Sequence, residues 1–102
     1  MKYNVLAFRF TDNAGNISYV GADVKASYTP EEYIKNLEKR TGSTLAEYQV
    51  KWEFLGGVKE DSSIKEAKEF SFTKIFADAR LEDIKLDCSD DANFGSYYRD
   101  LK

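Results

Sequence analysis

The sequence predicts an α+β fold: a single globular domain over 1–102, in the order ββαβββ, with a twisted, mostly antiparallel sheet and one main helix packed on one face. Three observations predict this fold. Runs of alternating apolar and polar residues outnumber the one helical pattern, and the connections between the runs are short. A chain of 102 residues with 42% apolar side chains can also bury one modest core.

The first two strands are predicted at 2–10 and 17–27, on either side of a segment of turn-forming residues, 11–16. Two such runs around a short polar segment predict a β-hairpin. Its apolar face sets the register, because a slip of one residue would turn one apolar set to solvent. That register contains two pairs, Phe8 with Val20 and Leu6 with Ala22.

The other face of this hairpin carries Tyr3 and Tyr19, near Arg9 and Lys25. Single-stranded nucleic acids stack on exposed aromatic rings that lie beside basic side chains. A formal net charge of −3 weighs against such a role, since phosphate binding needs a basic excess. We therefore expect no direct nucleic-acid partner.

The clearest local signal in the chain is a helix predicted at 30–41. Thr29 suits the N-cap, Pro30 suits the first helical position, and Glu32 completes a capping box with Thr29. Gly42 ends the helix after two basic residues in its last turn.

The third strand is predicted from an alternation of aromatic and polar residues that ends at Gly56 and Gly57. The inward set comprises Tyr48, Val50, Trp52 and Phe54. Polar residues between them predict a solvent-exposed outer face, so we expect the sheet to be covered on one side only. Trp52 is expected in the core.

The remaining elements have weaker signals. A helical turn around Ser63 and Glu66 is predicted within a polar stretch, 58–67. Phenylalanines indicate a fourth strand near 69–77, and Ile84, Leu86 and Cys88 indicate a fifth near 82–88. The segment 89–102 fits either a short helix or an extended edge, and Gly95 weakens the helical alternative.

No catalytic or cofactor site can be named from the sequence, and we expect no enzyme activity. The chain has no histidine, which removes Ser–His–Asp and Cys–His nucleophile pairs and imidazole-dependent zinc sites. The single cysteine, Cys88, is in phase with Ile84 and predicts a core position. A calcium loop starting at Asp87 fails because Ala92 stands where such a loop requires glycine. We expect neither a metal nor a cofactor.

The predicted functional surface is the acidic and aromatic C-terminal segment. Residues 76–102 carry seven acidic and four basic side chains, which accounts for the whole net charge. Aromatic residues and arginine are enriched at protein interfaces, and carboxylates around them would steer a basic partner. The candidate partner-binding residues are Asp87, Asp90, Asp91, Phe94, Tyr97, Tyr98, Arg99 and Asp100. The alternative is a tail whose aromatic rings pack on the sheet.

The sequence therefore predicts a non-enzymatic protein-binding module that docks on a basic protein surface. In size, acidity and lack of an active site it is similar to the small inhibitors that phages and mobile elements use against host nucleic-acid enzymes, anti-CRISPR proteins among them. No residue pattern carries that similarity. Two alternatives stay open: an assembly protein that self-associates through a strand edge or the outer hairpin face, and a small accessory enzyme or metal-binding domain.

The expected location is the cytoplasm of a bacterial host cell. The first ten residues contain Asn4 and Arg9 and do not form the apolar stretch of a signal peptide. No apolar run has the length of a membrane span. With one cysteine there is no internal disulfide, as is usual in a reducing compartment.

Overall fold

The computed structural model describes residues 1–61, 63, 65 and 70–88. Its elements, in chain order, are β1 (Tyr3–Thr11), β2 (Ile17–Tyr28), α1 (Pro30–Thr41), β3 (Lys51–Lys59), a short helix α2 (Phe72–Ile75), a 3₁₀ turn (Leu81–Asp83) and β4 (Ile84–Cys88). The strands form one mixed sheet in the order β3-β1-β2-β4. The predicted α+β class is confirmed. Within the described part of the chain, no helix is long and apolar enough to cross a membrane.

The hairpin has the predicted register. Phe8 pairs with Val20 and Leu6 with Ala22 in the antiparallel β1–β2 ladder. In the turn, the Asp12 carboxylate accepts hydrogen bonds from the backbone N–H groups of Ala14 and Asn16, each at 2.9 Å, and from the Asn16 side-chain amide at 3.0 Å. This is the local bonding for which aspartate is favoured in turns.

Helix α1 has the predicted bounds and caps. The Thr29 hydroxyl accepts a hydrogen bond from the Glu32 N–H at 3.1 Å, and the Glu32 carboxylate accepts one from the Thr29 N–H at 2.9 Å. Gly42 ends the helix in the left-handed conformation, at φ 75°. The helix buries Tyr33 and Ile34 on the sheet, where the Tyr33 ring stacks on Phe8 at 5.1 Å between centroids.

Strand β3 differs from its predicted bounds at both ends. It begins at Lys51, so Tyr48 lies in the preceding turn with 65% of its surface exposed. It also continues through Gly56 and Gly57, where Leu55 is an extra residue between two ladder pairs, Phe8 with Phe54 and Ala7 with Gly56. At Gly57 a Cβ atom would collide with the carbonyl oxygen of Val5. These glycines permit a bulge and a close backbone approach and do not end the strand.

The predicted fourth strand near 69–77 is wrong. In the described part of this segment, Phe72 starts the short helix α2, and the Phe76 N–H donates to the Phe72 carbonyl at 2.8 Å. The predicted fifth strand is confirmed as β4, which pairs with β2 in parallel. The helical turn expected around Ser63 and Glu66 lies largely outside the described residues.

The sheet is covered on both faces, whereas the sequence predicted one solvent-exposed face. On the α1 side the buried cluster comprises Leu6, Phe8, Phe10, Ala22, Tyr33 and Ile34. On the opposite side it comprises Val5, Ala7, Val58, Phe72 and Phe76. The central strand β1 contributes to both clusters because alternate residues point to opposite faces.

Tyr3 and Tyr19 do not form a shared outer face. A register shift in β1 between Tyr3 and Val5 precedes the regular ladder. Tyr3 packs on Phe54 in the α1-side cluster, at 4.9 Å between ring centroids, and Tyr19 packs on Phe76 on the opposite side at 5.4 Å. The prediction that Tyr3 and Tyr19 lie on the same outer face is therefore wrong, and the two rings form no common stacking surface.

Candidate functional site

The sequence-predicted partner surface lies almost wholly outside the described residues. Asp90, Asp91, Phe94, Tyr97, Tyr98, Arg99 and Asp100 are among the residues that the structure does not describe. Asp87 belongs to β4, where its backbone is opposite Ala22, and Cys88 is the last residue of the same strand. The docking role of the C-terminal segment and the core position of the Cys88 side chain stay predictions.

The described residues form a different candidate site, an open groove of about 370 Å³ between α1, the 42–50 loop and β3. This volume is near the small end of the range for binding pockets. Apolar side chains from all three elements line it, and charged side chains of α1 border it. The lining residues are Glu31, Ile34, Lys35, Glu38, Leu45, Ala46, Val50 and Trp52.

The helical side of the groove follows from residue spacing. Residues three or four positions apart lie on the same side of a helix. Four residues with this spacing form one stripe along α1: Glu31, Ile34, Lys35 and Glu38. Ile34 is 5% exposed and belongs to the core, while Glu31 and Lys35 are exposed and Glu38 is half-buried. The stripe therefore has an apolar base and a polar rim.

The loop side is fixed by hydrogen bonds to the helix and within the turn. The Leu45 N–H donates to the Glu38 carboxylate at 2.7 Å, which ties the loop to the last turn of α1. The N–H groups of Gln49 and Val50 donate to the carbonyls of Ala46 and Leu45 at 3.1 and 2.9 Å. Gln49 has φ 56°, in the left-handed region, and its side chain accepts a hydrogen bond from the Asn13 amide at 2.7 Å.

Trp52 is the aromatic residue of the groove. It is half-buried, and its ring meets Phe8 edge-on, at 5.9 Å between centroids and 69° between planes. The expected core position is therefore only partly realised: Trp52 packs against the α1-side cluster and also lines the groove. Tyr48, on the same loop as Leu45 and Ala46, presents a further exposed aromatic ring.

Sequence reasoning missed this groove for a physical reason. It assigned Tyr48 and Val50 to a strand, and it predicted the helix from its caps, without a binding role for its exposed charged residues. The alternation from Tyr48 to Phe54 has the period of a strand, and nothing in it shows that a turn occupies its first half. The hydrogen bond that ties this loop to α1, from the Leu45 N–H to the Glu38 carboxylate, joins residues seven positions apart in different elements.

Two carboxyl groups outside the groove lining, those of Asp12 and Glu32, have a pKa below the usual value. The Asn16 side-chain amide, with backbone N–H groups of the same turn, lowers the pKa of Asp12 from its usual value. The backbone N–H and hydroxyl of Thr29 lower the pKa of Glu32. Both carboxylates are held ionised by hydrogen bonds that shape a turn and a helix start.

The described part of the chain contains no group of three or more Cys, Asp or Glu side chains placed to hold a metal ion.

No protein-family model, curated protein or solved structure matches the chain. What the groove can do chemically is take up an apolar side chain against Ile34, Leu45, Val50 and Trp52, with charged groups at the border.

Proposed function

We propose that this protein is a non-enzymatic protein-binding module that contacts its partner through the groove between α1, the 42–50 loop and β3. The observation that carries the proposal is this open apolar groove with Trp52 in its lining and exposed Tyr48 on the adjoining loop. Exposed aromatic residues beside apolar concave surface are typical of protein interfaces, where they supply most of the binding energy.

The groove can supply only part of the binding free energy of a stable complex. Complete burial of one large apolar side chain contributes about 1.5–3 kcal/mol. A micromolar complex requires about 8 kcal/mol after the costs of association. The groove therefore serves as an anchor point within a larger contact, to which the exposed ring of Tyr48 on the adjoining loop can add.

The sharper form of the proposal is an inhibitor of a host nucleic-acid enzyme, of the kind that phages and mobile elements produce, acting in the bacterial cytoplasm. Its support comes from the sequence: an acidic excess confined to residues 76–102, and the lack of histidine for catalysis. Such enzymes have basic surfaces, and an acidic segment would favour docking on them through charge complementarity.

The test compares two tryptophan substitutions of exposed alanines. Ala46 lines the groove, so Ala46→Trp fills it, whereas Ala14 lies in the hairpin turn outside the groove lining and Ala14→Trp is the matched control. Each variant and the wild type are used as bait in bacterial lysate, and each is first checked for an unchanged melting temperature. We expect a protein that the wild type and Ala14→Trp retain and that Ala46→Trp loses. Equal retention by all three would contradict a groove-mediated function.

A second candidate function, self-association, has one observation in its favour: β3 is the end strand of the sheet. An exposed strand edge is a template for pairing with another chain. The bulge at Leu55 interrupts this edge and weighs against extended pairing. Light scattering across a concentration series separates the two functions, because self-association raises the mean mass with concentration.

A further inference from the structure

We propose that the groove takes an apolar side chain that has a lysine or arginine next to it in the partner. This inference rests on the proposed function and adds the chemistry of the ligand. It comes from the charges at the border of the groove, where two carboxylates, of Glu31 and Glu38, accompany one ammonium group, of Lys35.

The three charged residues occupy successive turns of α1 on the groove side, with Lys35 between the two carboxylates. Lys35 is four residues after Glu31, which is the spacing of a favourable helix pair. The formal charges of the three side chains therefore sum to −1 at this border. A cationic side chain seated there gains attraction to a carboxylate, whereas an acidic side chain is repelled.

The apolar residues that line the groove determine which kind of ligand group fits it. Ile34, Leu45, Val50 and Trp52 offer aliphatic and aromatic surface in an open groove, so a single projecting side chain of a protein segment fits it better than an enclosed small molecule does. The stem of a neighbouring lysine or arginine can cover apolar surface while its charged end reaches the border.

The experiment selects peptides from a random display library on the wild-type protein and removes those that also bind Ala46→Trp. We expect the remaining peptides to share an apolar residue with a lysine or arginine within one or two positions. A synthetic peptide of that sequence, free of tryptophan, is then titrated while the fluorescence of Trp52, the single tryptophan of the chain, is followed.

The charge is tested with two substitutions that remove one carboxylate each. Glu31→Gln alters the groove border, and Glu60→Gln, at an exposed position just after β3, is the matched control. We expect Glu31→Gln to weaken peptide binding about 2- to 5-fold at low salt, as for an exposed ion pair, and Glu60→Gln to leave it unchanged. The difference should shrink at high salt because screening acts on exposed charges.

Two contrary outcomes are distinguishable. Groove-dependent peptides without a basic residue, or with an acidic one, would overturn this inference and leave the proposed function standing. The same holds if Glu31→Gln binds as tightly as the wild type. If no peptide depends on the groove, the proposed function is overturned, and this inference with it.

Discussion

The two faces of the sheet are built in different ways. The α1 face is covered by a helix of 12 residues with both ends capped, and its cluster combines alternate residues of β1 with Tyr33 and Ile34. The opposite face is covered in the described chain by a four-residue helix and its flanking turns, through Phe72 and Phe76. Phe8 and Phe72 are nevertheless both completely buried.

This difference teaches that regular secondary structure and deep burial are separate properties. On the α1 face, local signals and tertiary packing agree, so the helix begins and ends where its caps dictate. On the opposite face, the rings of Phe72 and Phe76 stack at 5.4 Å without a long helix or a strand to present them. The two rings pack in the cluster with Val5, Ala7 and Val58, and the Phe72 ring also lies close to Gly21 of β2.

The strongest test of the comparison is a matched pair of core truncations. Phe8→Ala and Phe72→Ala should each lower the free energy of unfolding by about 3–5 kcal/mol, because each removes a fully buried ring. Urea unfolding measures both. Tyr48→Ala removes an exposed ring and should change stability by less than about 0.5 kcal/mol. A cost below about 1 kcal/mol for Phe72→Ala would mean that the second face is not part of the core.

A second test concerns how Phe72 meets the sheet. A Cβ atom on Gly21 would lie 2.8 Å from Cε1 of the Phe72 ring, closer than van der Waals contact allows. Gly21→Ala should therefore lower stability by about 1–3 kcal/mol, as overpacking does. In a Phe72→Ala background the same substitution should cost much less, because the opposing ring is gone. Additive costs in the double-mutant cycle would contradict this contact.

A third test removes the N-cap hydrogen bond of α1. Thr29→Ala removes the hydroxyl that accepts the Glu32 N–H, and should lower stability by about 1 kcal/mol. Thr29→Ser keeps a hydroxyl and should retain most of that stability. Thermal unfolding followed by circular dichroism measures both variants. Equal loss in the two variants would show that the cap hydrogen bond is not the cause.

The smallest expected effect is a pH dependence of stability that arises from Asp12 in the hairpin turn. This turn joins β1 and β2, which have residues on both faces of the sheet. Hydrogen bonds from Asn16 lower the pKa of Asp12 in the folded state. The stability contributed by the ionised Asp12 carboxylate is therefore present above the unfolded-state pKa of aspartate, near pH 4. It is lost as the pH falls through the lower folded-state pKa. Asp12→Asn removes this titration. We expect the wild type to lose its stability advantage over Asp12→Asn below about pH 4 in urea unfolding, whereas a constant difference down to pH 2.5 would contradict it.

The hairpin and α1 could be predicted because their signals lie close together in the chain. The turn residues around Gly15 join two apolar alternations, and the segment from Thr29 to Gly42 carries its own start and stop. The residues near Phe72 could not be predicted in the same way. Phenylalanines at irregular spacing fit a strand or a short helix equally, and the packing of Phe72 against Gly21 is a contact that the local pattern does not show.

The candidate groove illustrates the same limit. The stripe from Glu31 to Glu38 can be predicted from helical spacing, but the loop that completes the groove is tied to α1 by a contact between elements, the hydrogen bond from Leu45 to Glu38. Gly56 and Gly57 likewise read as a strand end, although the close approach to Val5 makes them part of β3. In both places a contact between elements overrides the local pattern.

The sequence by itself determined the α+β class, the β1–β2 register, and helix α1 with its caps. These features depend on periodicity, turn residues and capping, which act over a few residues. Only the tertiary structure decided the parallel pairing of β4 with β2, the covering of the second face, and the groove that brings Trp52 beside α1. Those features arise from contacts between segments distant in the chain, whose energies depend on packing rather than on local preference.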